Sequence, residues 1–198
     1  AMRQLEIDLP AAKIRHAARS QPSVRSRLRL LAPVFFAAVA AGMLAGCAGE
    51  PTAKLTKADQ VVVKKSERKM QLIQGGKVVR EYRIALGDRP RGHKMQQGDE
   101  RTPEGSYILD WRNPNSRFHK SIHVSYPNAL DLRFARFMDE DPGGMIMIHG
   151  QPNHIRSAKI KAEYKRRDWT DGCIAVQNHE MDEIWRTVRN GTPIKILP

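Results

Sequence analysis

Cysteine is nearly missing from this chain: two occur in 198 residues, Cys47 and Cys173. So few thiols exclude a disulfide framework and a zinc site built from several cysteines. Aromatic residues make up only 6% of the sequence. No basic run interleaved with aromatics and no nucleic-acid motif is present, so the net charge of +13 does not read as nucleic-acid binding. Long hydrophobic runs are absent as well. The longest, Leu30 to Ala45, has 16 residues interrupted by Pro33 and Gly42, short of the ~20 a spanning helix needs. There is no internal repeat. The length suits one catalytic domain with an appended segment rather than two large domains.

What is present falls into two parts. A basic stretch ending in Arg25, Arg27 and Arg29 precedes the apolar run, which closes in Leu44-Ala45-Gly46-Cys47. That is the layout of an export signal, and its last four residues resemble the lipobox of bacterial lipoproteins. The resemblance implies that residues 1–46 are removed and that Cys47 becomes a lipid-bearing first residue on a tether running to residue 57. An ordinary signal peptide followed by a chance cysteine is the alternative. Ala48, standing where aspartate favours inner-membrane retention in many lipoproteins, leans the expected location toward the outer membrane. Seven of 34 basic and two of 21 acidic residues lie before Cys47, leaving 27 and 19, a net of +8. In a cell envelope such a surface suits carboxylate-rich wall peptides or anionic headgroups.

From residue 58 onward the pattern is mainly β. Alternating runs Val61–Val63, Met70–Ile73 and Val78–Leu86 are separated by Ser66-Glu67-Arg68 and by Gly75-Gly76, a strong hairpin signal, so three adjacent antiparallel strands are expected. Further strands are expected at Ser106–Trp111, Ser121–Ser125, Met145–Ile148 and Pro193–Leu197. Leu130, Phe134 and Phe137 recur at helical spacing after Asn128. Residues 153–168 read as a basic, exposed helical flap, and Asn178 as the N-cap of a helix through Asn190 closed by Gly191. The expected fold is α+β, a β-sandwich with short helices and a flap insertion.

If Cys47 is lipidated, Cys173 has no partner, and an unpaired thiol outside the reducing cytoplasm is either buried or used. Cys173 follows Gly172 in a polar turn, where the amides of Gly172 and Cys173 can converge as an oxyanion hole. A thiol near its ordinary pKa of ~8.5 needs a base. His149, at the exit of an apolar strand, is followed by Gly150, whose carbonyl can fix the ring tautomer. Taken singly, each is as readily a buried cysteine and a satisfied core histidine.

Together, Ile148-His149-Gly150 and Thr170-Asp171-Gly172-Cys173-Ile174 resemble the signature of YkuD-type L,D-transpeptidases. Gly98 to Gly105, Ser125 to Asn128 and Pro142 to Gly144 are similar to segments of the proteobacterial branch. The resemblance implies acyl transfer on peptidoglycan stem peptides. Cys173 attacks the carbonyl of the L-centre of diaminopimelate, terminal D-alanine leaves, and an amine or water resolves the thioester. His149 is then the base, Gly150 the orienting carbonyl, and Gly172 with Cys173 the oxyanion donors. No cofactor or metal is called for. Thr170, Asp171, Trp169 and His123 are expected at the substrate cleft, although Trp169 also reads as flap packing. His119 and His123 stand four apart but on a strand-like segment, so zinc binding is not expected. The sequence departs from the family in Asp171, where many members have histidine, in Ala175, and in a spacer of 20 residues between His149 and Thr170. An aspartate there tends to raise the thiol pKa. Hydrolysis of the same substrates, or a catalytically silent wall-binding lipoprotein, are the alternatives.

Overall fold

The computed structural model describes residues 56–198; the expected export segment and Cys47 lie outside the described residues. The elements run β1 (Gln60–Lys64), β2 (Lys69–Gln74), β3 (Lys77–Arg83), β4 (Gly105–Asn113), β5 (Ser121–Val124), α1 (Ala129–Met138), β6 (Met147–His149), α2 (Ala158–Arg166), β7 (Ile174–Ala175), α3 (Asn178–Thr187) and β8 (Thr192–Leu197). Mostly β with three short helices is thus the observed class.

All eight strands belong to one curled sheet in the order β3-β2-β1-β8-β4-β5-β6-β7. β1 pairs with β8 and β6 with β7 in parallel; the other pairs are antiparallel. The sheet bends round until its ends meet, since Ala85, just beyond β3, exchanges both backbone hydrogen bonds with Ala175 of β7 at 2.9 Å. Closing the ends satisfies edge groups that an open sheet would leave exposed.

Alternation drives this. Val61 and Val63, Met70 and Leu72, and Ile194 and Ile196 all point inward and are fully or almost fully buried. Each such side chain contributes about 1.5–3 kcal/mol relative to exposure. Met181 and Ile184 of α3 complete the same core. The β2–β3 hairpin turns on Gly75 and Gly76, with φ of 58° and 76°, left-handed values that glycine adopts without strain.

Three local expectations change. The third run leaves the ladder at Arg83, and Ile84–Leu86 turns to meet β7 instead. The apolar residues of α1 are largely outside: Phe137 is 83% and Leu130 67% exposed, while Asp131 and Ala135 are buried. Asp131 is drawn in because it completes the capping box with Asn128 and accepts from Tyr107 Oη at 3.3 Å. Asn178 does not cap α3. Its Oδ1 accepts from Gln151 N at 2.8 Å, and Glu180 reaches back to the amide of Gln177, which takes the N-cap position.

Gly87 marks a close crossing. A Cβ there would stand 2.0 Å from the Glu100 carbonyl oxygen and 2.9 Å from that of Thr170, both backbone atoms. Gly87→Ala is expected to cost about 2 kcal/mol or more, read as a lowered urea midpoint; an unchanged midpoint would contradict the crossing.

Candidate active site

The short parallel pair β6–β7 sets the site. Ile148 stands opposite Ile174 and His149 opposite Ala175, so Cys173 sits one step ahead of β7, beside the strand that ends in His149. The loop before it is tied down along its length. Arg68 donates from Nε and Nη2 to the Asp168 carboxylate, at 3.0 and 2.7 Å to Oδ2, and Asp168 Oδ1 also accepts from Leu86 N at 2.9 Å. The amides of Trp169 and Thr170 both donate to Leu86 O. Thr170 Oγ1 donates to Cys173 O at 2.8 Å, and Thr102 Oγ1 to Gly172 O at 2.8 Å. Gly172 has φ of 116°, and a Cβ on it would lie 2.5 Å from the Arg101 carbonyl oxygen. Conformation and space therefore both require glycine there.

His149 is buried, its ring 4.7 Å from that of Phe118 and 5.6 Å from that of Trp169. Its Nδ1 lies 2.7 Å from Gly150 O. A carbonyl only accepts, so Nδ1 carries the proton and Nε2 keeps a lone pair. Burial pushes the imidazole pKa down to about 4, with the Gly150 hydrogen bond opposing the shift. The ring is thus neutral near pH 7, as a general base must be. Gly150 is a glycine for room rather than conformation: a Cβ would meet Asn178 Oδ1 at 2.7 Å and His119 Cβ at 2.9 Å.

The Cys173 thiol is half-buried, with Sγ 3.6 Å from Met145 O. Its pKa is pushed up to about 11, chiefly by burial and further by Asp171, against the lowering influence of the Met147 amide and Lys94. Because His149 is uncharged, no imidazolium stabilises the thiolate. The substrate-free site therefore rests as thiol and neutral imidazole rather than as an ion pair.

Both side chains line one cavity of about 550 Å3. Thr170, Asp171 and Trp169 line it too, Asp171 exposed and Thr170 buried. Gly172 lies in the loop beneath, its amide donating to Thr170 Oγ1 over a long 3.3 Å. Trp169 lines the cavity and also packs on the flap, since its Nε1 donates to Tyr164 O on α2 and the rings of Trp169 and Tyr164 meet edge-on at 4.9 Å. His123 does not line the cavity. Its Nδ1 lies 2.7 Å from Asp110 Oδ1, and its ring stacks at 4.7 Å on Trp111, which does line it. His119 is engaged by Asp182 at 2.8 Å. Sequence reasoning missed Trp111, Arg117, Phe118, Met145 and Tyr164. Arg117 and Phe118 fall in a loop without periodicity, where only their place just before a strand singles them out. A larger cavity of about 630 Å3 near Lys65, Arg68 and Asp168 holds neither thiol nor imidazole.

The comparisons with known proteins point the same way as this geometry. A relative from Escherichia coli (strain K12), named "Putative L,D-transpeptidase YafK", is 33% identical over 110 residues, covering 54% of this chain and 36% of YafK. Pgp2, a helical cell shape determining protein from Campylobacter jejuni, shares the fold with a TM-score of 0.51 and 25% identity, over 75% of this chain and 51% of Pgp2. The chain spans about a third of the length of the curated relatives it matches. The YkuD family pattern, that of the L,D-transpeptidase catalytic domain, runs over residues 58–196, from just before β1 into the last residues of β8. On that match the chain belongs to the YkuD family of L,D-transpeptidase catalytic domains.

Proposed function

We propose that this chain transfers acyl groups between peptidoglycan stem peptides through a thioester on Cys173. One observation carries the reading: within a YkuD-family domain, the thiol shares a cavity with an imidazole whose Nδ1 is committed to Gly150 O and whose Nε2 is left to take a proton. His149 Nε2 removes the thiol proton as Sγ attacks the carbonyl of the L-centre of diaminopimelate. The resulting oxyanion is met by the backbone amides at Gly172 and Cys173, Gly172 exchanging its long contact to Thr170 for this one. The carbon–nitrogen bond to D-alanine then breaks. The leaving amine takes the proton back from His149, and the acyl group remains as a thioester. An amine on a second stem, deprotonated by the same imidazole, resolves it; water in that place gives hydrolysis. The chain is further proposed to reach its substrate from a lipid anchor on Cys47 in the cell envelope.

Four outcomes test this. Purified protein given disaccharide-tetrapeptides is expected to yield joined diaminopimelate stems by mass spectrometry, and Cys173→Ala none. Tripeptides alone would make it a hydrolase, and no product would overturn the activity. The pH dependence follows from the two shifts. With the thiol raised, the thiolate fraction climbs only as pH rises toward about 11, so iodoacetamide alkylation of Cys173 is expected to keep accelerating above pH 9; a plateau by pH 8 would disprove the neutral resting pair. With the imidazole lowered, the acid limb of kcat/KM is expected near pH 4, where His149 gains its proton. Cells expressing the chain and fed a fatty-acid probe are expected to label it at Cys47, and Cys47→Ala to abolish the label.

A further inference from the structure

The cavity around Cys173 is mixed in character, with Phe118, Trp169, Tyr164 and Met145 among its apolar walls and Asn113, Asn115, Ser116 and Ser121 among its polar ones. An acidic and a basic side chain line it as well. Asp171 stands two residues before the nucleophile, and Arg117 stands on the β4–β5 connection beside Phe118. Both are exposed. Among the described residues neither takes part in a salt bridge, so they do not neutralise each other within 4.0 Å. Nor does either side chain hold a structural hydrogen bond, unlike Asp168 and Arg68 close by. Both are solvated as they stand, and each remains available to pair with an oppositely charged group of a ligand that enters the cavity.

We propose that Asp171 and Arg117 read a zwitterionic amino-acid group on the substrate's side chain, Asp171 taking its ammonium and Arg117 its carboxylate. Resting on the stem-peptide reading above, the group is the D-centre of diaminopimelate, which carries both charges beyond a flexible methylene chain. A lysine side chain offers only the ammonium, and an amidated diaminopimelate lacks the carboxylate, so the pair discriminates among stem types. A bidentate Arg–carboxylate contact and an Asp–ammonium contact are each worth roughly tenfold in affinity.

The pairing also explains why an aspartate is tolerated beside the thiol. In the empty site burial chiefly, and Asp171 in addition, oppose thiolate formation at Cys173, which leaves the thiol less open to oxidation. A bound ammonium neutralises Asp171 and removes its share of that opposition. The substrate thereby helps to activate the nucleophile that will attack it.

Binding, read apart from catalysis, tests the pairing. Full-length Cys173→Ala protein is titrated calorimetrically with four tetrapeptides: unmodified diaminopimelate, its side-chain amine acetylated, its side-chain carboxylate amidated, and both modified. Adding Asp171→Asn is expected to weaken the unmodified and amidated peptides roughly tenfold and leave the acetylated one unchanged. Adding Arg117→Gln is expected to weaken the unmodified and acetylated peptides and spare the amidated one. Asp171→Glu should restore discrimination. Lys159→Gln, an exposed position on α2 away from the cavity lining, should change nothing. Equal losses on all four peptides, discrimination that follows Lys159, or no binding in the Cys173→Ala background would overturn the proposal. Charge-selective binding with no acyl-enzyme on Cys173 would sink the transfer reaction and leave the pairing standing; turnover without charge selectivity would sink the pairing alone.

Discussion

Two residues, Ile174 and Ala175, hold both the fold and the site in place. On one side they pair in parallel with β6, and on the other Ala175 exchanges both hydrogen bonds with Ala85, which closes the curled sheet. Both are buried. A slip of one residue would turn Ile174 out of the core, so the register is pinned by burial as well as by hydrogen bonds. That register fixes where Cys173 stands relative to His149. Cys173 and His149 are thus located by the same pairing that brings the sheet's ends together.

The loop leading to Cys173 inherits its order from more distant parts of the chain. Asp168 is held by Arg68, which lies in the turn between β1 and β2 with a φ of 52°. Thr170 is held by Leu86, and Gly172 by Thr102. Three separated segments therefore grip a stretch of five residues, and hydrogen bonds to the Asp168 charge are the stronger of these contacts. α2 has no buried residues of its own. It stays on the domain through Tyr164 against Trp169 and through the Gln151 side chain, whose Nε2 donates to Lys161 O at 2.8 Å. Arg83 at the end of β3 also donates to the carbonyls of Lys165 and Arg166, at 3.2 and 3.3 Å, so the flap is held by polar contacts from three segments rather than by burial in the core.

What was legible in the sequence was local. Alternation gave the strands and Gly75-Gly76 the hairpin, because periodicity and turn conformation act over a few residues, whereas His149-Gly150 and Gly172-Cys173 stood out only through the family resemblance, the two glycines being required by distant Asn178, His119 and Arg101. Features that depend on distant partners were not legible. The stripe of Leu130, Phe134 and Phe137 announced a helix but not which face is buried, since Asp131 is recruited by Asn128 and by Tyr107 from β4. His123 looked like a cleft residue, yet Asp110 and Trp111 of the neighbouring strand take both its nitrogen and its ring face. Asn178 looked like a helix cap, but the amide of Gln151 claims its oxygen. In each case the residue type was read correctly as polar or apolar, and a partner remote in sequence decided its use.

The electrostatics of the site form a consistent whole only when a substrate is included. Burial raises the thiol and lowers the imidazole, so both favour their neutral forms in the empty cavity. In the proposed reaction the thiol proton is therefore moved during attack, and the fixed tautomer of His149 matters more than any charge on it. Of the charges near Cys173, Lys94 is already committed to Asp99 at 2.9 Å, whereas Asp171 is exposed and without a salt bridge among the described residues. The adjustable charge beside the nucleophile is therefore the unfavourable one. An arriving cation improves the site by cancelling it, and an arriving anion near it makes the site worse. On the proposed pairing, charge on the substrate bears on reactivity as well as binding, through a residue that takes no part in the bond changes.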